Sequence, residues 1–384
     1  MKATCPTTKR RRPLLGARWQ PYFWCITLAL LLVACGGPKP APTATPAPAT
    51  PALSALSSPP RSVNLPEDEG AHGTPIEWWY FNGHLADNSG GRYSYHFVAF
   101  QTQRPGGATA QLLQLSWADH DRGLHLTGEK ATLPDKSGPA AAGSFDVRAS
   151  GWRMNGDGRG YLLVFDAGGY FLDLEAVSAK PAALHQTTGL VDLGPAGETF
   201  YYSRTRLNVA GTLTLEGLLR PVTGITWMDH QWGEFSSQRV GWDWVSLQFD
   251  DQSELMAVLV WDPEGHRPFA SYGTYVAPDG AAGTVDSNDI ALTATGAWTS
   301  PATGVVYPMG WNLSITALGL ELRLSPARND AEFAGSRYVP VPYWEGAVSV
   351  RGVKEGAAIT GRGFVELVGY GPSAEDSTPT PPDE

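Results

Sequence analysis

The 384-residue sequence is poor in cysteine, in charge and above all in positive charge. Its three cysteines, Cys5, Cys25 and Cys35, lie within the first 35 positions, so the remainder can form neither a disulfide nor a cysteine zinc site. Charged residues make up 17% of the chain, against about 25% in an average domain. The formal net charge of -10 excludes a nucleic-acid partner, which would need a basic footprint. Long helical periodicity is nearly absent, and no glycine-rich phosphate loop precedes a helix. The G-x-S-x-G elbow of an α/β serine hydrolase is missing as well. What is present in quantity is glycine (44), proline (31) and tryptophan (14). Glycine and proline punctuate turns and linkers.

The N-terminus reads as an address. Residues 1–34 carry Lys2, Lys9, Arg10, Arg11, Arg12 and Arg18 and no acid, and an apolar run extends from Tyr22 to Val33. A basic region followed by an apolar stretch too short to span a bilayer is the pattern of a signal peptide. The stretch closes Leu32-Val33-Ala34-Cys35-Gly36, which resembles the bacterial lipobox. That resemblance implies cleavage before Cys35 and its lipidation. An uncleaved anchor helix is the alternative. Both place the rest of the chain on the extracytoplasmic side of a membrane in the cell envelope. Acyl chains would anchor it at roughly 0.8 kcal/mol per buried methylene. Six of the 28 basic residues leave with the signal, so 22 remain against 38 acids. The membrane partner is therefore reached through lipid rather than charge.

The expected organisation is a signal peptide at 1–34, then lipidated Cys35 and a Pro/Ala/Thr-rich linker at 35–62. Two folded domains follow, at 63–236 and 237–372, and a disordered acidic tail at 373–384. Proline blocks helix and sheet pairing, so the linker is read as an extended tether. The folded part consists of short alternating runs such as Gln111–Trp117, Tyr170–Ala176, Thr212–Leu219, Trp242–Phe249 and Ser253–Trp261. Each is bounded by turn residues, which predicts strands. Fourteen to eighteen strands of 5–9 residues are expected from the pattern. That is too many for one small barrel, so the fold class is all-β, with two antiparallel barrels or sandwiches. The seam is placed at Trp232–Trp242.

Three segments concentrate chemistry. In Ile76–His84, strand alternation puts Glu77, Trp79 and Phe81 on one face and Trp78, Tyr80 and Asn82 on the other. In Gly224–Phe235, Asp229, His230 and Trp232 crowd together. In Gly241–Leu247, Trp242 and Trp244 share a face. Each segment taken singly can be ordinary aromatic packing. Together they place acids and an imidazole among indoles, where burial is costly without a purpose or a partner. His120 and His125, with Asp119 and Asp121 nearby, could bind a metal, but a polar hairpin is the better reading of this segment. No metal and no cofactor are expected.

EWWYFNGHL (77–85), WMDHQWGEF (227–235), GWDWVSLQF (241–249) and GRGFVELVGY (361–370) resemble the AttH/CrtC family, which includes carotenoid 1,2-hydratase. The resemblance covers positions 70–372 and implies two lipocalin-like β-barrel domains packed together. It also implies that His230-x-Trp232 and an Asp on the following strand, here Asp262, take part in acid-catalysed hydration. The Tyr that accompanies that Asp in the hydratases has no counterpart here. Asp229 and Glu77 are alternative acids, and Asp262 can equally cap a turn before Pro263.

Two functions follow. The first is a membrane-anchored protein that binds a hydrophobic small molecule, isoprenoid or lipid-like, through Glu77, Trp78, Trp79, Trp242 and Trp244. An ABC-type transport complex is then a candidate partner. The second is a cofactor-free hydratase using Asp229, His230, Trp232 and Asp262. The two differ in whether product forms and in whether the acids and His230 converge on one cavity.

Overall fold

In the computed structural model, residues 61–103, 109–132, 142–235, 240–262, 266–336 and 338–371 are described. The signal, Cys35, the tether up to position 60 and the tail lie outside this set. No helix among the described residues is long and apolar enough to cross a membrane.

The fold is all-β, with 68% of the described residues in strands, arranged as one nearly closed barrel and one half-barrel. The first sheet contains β1 (Ile76–Asp87), β2 (Arg92–Gln103), β3 (Thr109–Asp119), β4 (Leu124–Ala131), β5 (Phe145–Ala149), β6 (Trp152–Gly156), β7 (Gly160–Ala167) and β8 (Tyr170–Ser178). It continues with the short β9 (Ala183–Leu184) and β10 (Leu190–Asp192), then β11 (Gly197–Leu215) and β12 (Leu218–Phe235). Their spatial order is β4-β3-β2-β1-β12-β11-β8-β7-β6-β5, with β9 and β10 on β11. The second sheet contains β13 (Gly241–Phe249), β14 (Glu254–Asp262), β15 (Arg267–Val276), β16 (Ala282–Val285), β17 (Ile290–Thr299), β18 (Val306–Ile315), β19 (Leu320–Pro326), β20 (Glu332–Phe333), β21 (Tyr343–Lys354) and β22 (Ala357–Val368). Its order is β16-β15-β14-β13-β22-β21-β19-β18-β17, with β20 on β21.

Strand lengths depart from expectation. β11 has 19 residues and β12 has 18. The run Thr212–Leu219, read as one strand, straddles the hairpin between them. Glu216 and Gly217 both take positive φ, 55° and 76°, as a two-residue hairpin turn requires. A Glu at the first turn position gives no composition signal, since Asn or Asp is the usual residue there.

Alternation divides the aromatics between two places. Trp79, Phe81, Tyr95, Phe97, Met228 and Trp232 fill the barrel interior. Tyr80, Val98, Tyr201, Trp227, Trp244, Met256 and Phe364 form a separate layer where the two sheets meet. A third cluster, including Val245, Leu247, Trp311 and Trp344, fills the concave face of the second sheet. β1 and β12 therefore carry core on both faces, which is why Trp78–Phe81 and the stretch Trp227–Trp232 place bulky side chains at successive positions.

Candidate functional site

β1 pairs with β12 so that Glu77 faces Trp232, Trp79 faces His230 and Tyr80 faces Asp229. Because side chains alternate, adjacent residues of these two strands enter different environments.

Inside the barrel, Glu77 and His230 are fully buried. Glu77 Oε1 lies 2.8 Å from His230 Nε2 and 2.8 Å from His72 Nδ1. Its Oε2 accepts from the His72 backbone N–H at 2.8 Å and from Gln101 Nε2 at 3.1 Å. His72 precedes β1 and stacks on Trp232, with ring centroids 4.1 Å apart and 2° between planes. Trp79 stacks on His230 at 4.8 Å. Burial would push the Glu77 carboxyl up, but the bonds from His230 and His72 outweigh it and hold the group below its ordinary value. Burial pulls the His230 imidazole down.

The opposite face of β1 and β12 meets the second sheet. Asp229 is buried there and accepts from Tyr201 Oη at 2.8 Å, from Trp227 Nε1 at 2.7 Å and from the Ser203 hydroxyl. Burial, only partly countered by these donors, raises its carboxyl to about 7. Trp244 Nε1 donates to Tyr201 Oη at 3.1 Å, and Asn82 Nδ2 to Ser246 Oγ at 3.0 Å. The Tyr80 hydroxyl donates to Glu345. His96 Nδ1 lies 2.9 Å from Glu345 Oε2, yet neither His96 ring nitrogen makes an aligned hydrogen bond, and the residue is fully buried.

Glu345 is the cross-strand partner of Glu366. Two carboxylates opposed in this way repel, so one must hold a proton. Burial, then the charge of Glu345, raises the half-buried Glu366 to about 8, against a bond from Trp242 Nε1 at 3.0 Å. Half-buried Trp78, Phe100, Phe235 and Trp242 pack against this layer.

The residues singled out from sequence therefore do not converge. Glu77, Trp79, His230 and Trp232 belong to the barrel interior. Asp229, Trp78, Trp242 and Trp244 belong to the layer between the sheets. Asp262 belongs to neither: it ends β14, and its carboxylate pairs with exposed Arg267 at 3.2 Å. Its backbone carbonyl accepts from His266 N–H at 2.8 Å. The single catalytic set of Asp229, His230, Trp232 and Asp262 is thus divided by strand alternation and by the position of β14. His120 and His125 bond separately to Ser94 and Ser116.

Glu345, Glu366, His96 and His72 are not among the residues that the sequence singles out. Glu345 in Tyr343-Trp344-Glu345 and Glu366 in GRGFVELVGY carry the signal that drew attention to Glu77, a lone acid in an aromatic or apolar strand. His96 and His72 become notable only through contacts far from their strand neighbours.

Taken together, a barrel and a half-barrel with buried acids between them define an all-β, lipocalin-like protein. The AttH-like family model matches residues 56–370, and the chain belongs to that family. It is 25% identical over 184 residues to kievitone hydratase of Fusarium solani subsp. phaseoli, covering 47% of this chain and 51% of that protein. The chain thus spans about half the length of this curated relative. A crystal structure from Nitrosomonas europaea, provisionally assigned to AttH, superposes with TM-score 0.71 at 25% identity, covering 82% of this chain and 98% of that one. Kievitone hydratase from Nectria haematococca superposes with TM-score 0.66 at 18% identity, covering 80% and 93%.

Proposed function

We propose that the layer between the sheets is a cofactor-free acid site that adds water to the double bond of an apolar, isoprenoid-like molecule. One observation carries this reading: the Glu345–Glu366 pair, one member of which holds a proton near neutral pH, set among indole and phenol rings. Protonating an isolated alkene needs an acid that stays protonated until substrate arrives. The Glu366 carboxyl gives its proton to one alkene carbon as the π bond breaks. The tertiary cation left on the other carbon is stabilised by electron-rich faces such as Trp242 and Trp244. Water forms the new C–O bond and loses its proton to the His96 imidazole, which lies beside Glu345. Return of that proton to Glu366 restores the site, and the net change is addition of one water. The relative named kievitone hydratase supports this class of reaction.

A carrier for the same molecules is the second reading. An open depression of about 410 Å³, lined by His266, Thr303, Gly304, Val305, Val306 and Tyr370, is the observation on its side. Incubating the full chain with acyclic isoprenoids, followed by mass spectrometry, separates the two. A gain of one water that disappears in Glu366→Gln supports the hydratase. Tight binding with no product from any of them would leave the carrier. Anchoring of the chain through lipidated Cys35 belongs to both readings.

A further inference from the structure

We propose that His72, Glu77 and His230 form a binding site for one first-row divalent transition ion of the zinc class, at the mouth of the barrel. This site lies on the opposite face of β1 and β12 from the acid layer and does not depend on it. Among the described residues, these three offer ligand atoms that all lie within 4.8 Å of one another. Two neutral imidazoles and a carboxylate are the donors that such ions take.

The geometry is organised as a metal site is. His72 Nδ1 and His230 Nε2 converge on the same oxygen, Glu77 Oε1, each at 2.8 Å. Donors about 2.1 Å from a tetrahedral ion stand about 3.4 Å apart, so these contacts need open by only about half an ångström. The remote nitrogens are buttressed: His72 Nε2 lies 3.4 Å from Asp68 Oδ1, and His230 Nδ1 lies 3.2 Å from Tyr202 Oη. A carboxylate or hydroxyl behind each imidazole is the outer support that metal-bound histidines use. Asp68 and Glu77 both only accept, so His72 stands between two carboxylates, the nearer being Glu77 Oε1 at 2.8 Å. Glu77 Oε2 is held by His72 N–H and Gln101 Nε2, which fixes the carboxylate.

Access is open on one side. The side chains of His72 and Asp68 are 20% and 25% exposed, and Glu67, Asp68 and Glu69 form an acidic turn there. Glu69 is occupied by Arg204. An ion bound here would fasten residue 72 to β1 and β12.

The test titrates the purified full chain, after treatment with chelator, with Co²⁺ as the probe. We expect one Co²⁺ per chain, with ligand-field absorption of a low-coordinate nitrogen–oxygen site, displaced by Zn²⁺. His72→Ala and Glu77→Gln should abolish the bands. Asp68→Asn, which keeps all three ligands, should weaken binding about 10- to 100-fold. His72 lies outside the strands and is partly exposed, so His72→Ala should keep the native near-ultraviolet circular dichroism. Natively folded chain that takes up no Co²⁺, uptake without ligand-field bands, or uptake unchanged in His72→Ala would each overturn the proposal. Glu77 Oε1 would then be held by the N–H groups of His72 and His230 alone.

Discussion

Glu366→Gln should make the protein more stable at neutral pH while removing hydration activity. Glutamine matches a neutral glutamic acid in shape and can still accept the Trp242 N–H. In the folded chain Glu366 is raised to about 8, against an ordinary value of 4.5. Its protonated form is therefore the one that folding favours. Below about pH 4.5 the carboxyl is protonated in both states and contributes no pH dependence. Between about 4.5 and 8 the unfolded chain ionises while the folded chain does not, so this group lowers stability as pH rises. At pH 7 the difference amounts to up to about 3 kcal/mol, from about 1.4 kcal/mol per pKa unit. Spread over a folded part of this size, that corresponds to a Tm about 4–6 °C higher in Glu366→Gln. Melting curves of both proteins at pH 4.5 and pH 7 provide the assay. The curves should nearly coincide at the lower pH and separate at the higher one. Equal pH slopes for the two proteins, or a Glu366→Gln chain less stable at pH 7, would refute the reasoning that Glu366 is held as an acid.

Other outcomes follow from the same geometry. Hydration should fall as pH rises through about 8, because Glu366 then loses the proton it must give; the pH profile of kcat/KM reads this directly. Tyr80→Phe removes the hydroxyl that donates to Glu345 and accepts from Asn82 Nδ2 at 3.1 Å, leaving buried polar groups unpaired. It should cost about 1–3 kcal/mol in urea unfolding, and an unchanged midpoint would show that the bond is not formed. Cys35→Ala should move the chain from the membrane to the soluble fraction. Retention of that variant in membranes would refute the lipid anchor.

Much of the fold was legible because strand alternation is a local property. Glu77, Trp79 and Phe81 face inward and Trp78, Tyr80 and Asn82 outward, as period-two reasoning requires. The weak points were equally local. The Glu216-Gly217 turn lacks the Asn or Asp that announces a hairpin, so two long strands were read as several short ones. Asp229 and His230 are adjacent in sequence, and adjacency in a strand places them on opposite faces and in different sites.

The sequence by itself determined the all-β character, the shared faces of neighbouring residues, and the concentration of indoles beside acids. Only the tertiary structure decided which acids meet. Tyr80 reaches Glu345 across 265 positions, and His230 reaches Glu77 across 153. Contacts at such separations depend on the register of distant strands and on how two sheets stack. Those are set by the packing of both faces at once, which no local pattern records. For the same reason His72 and His96, unremarkable in their own segments, stand at the two chemical centres of the folded chain.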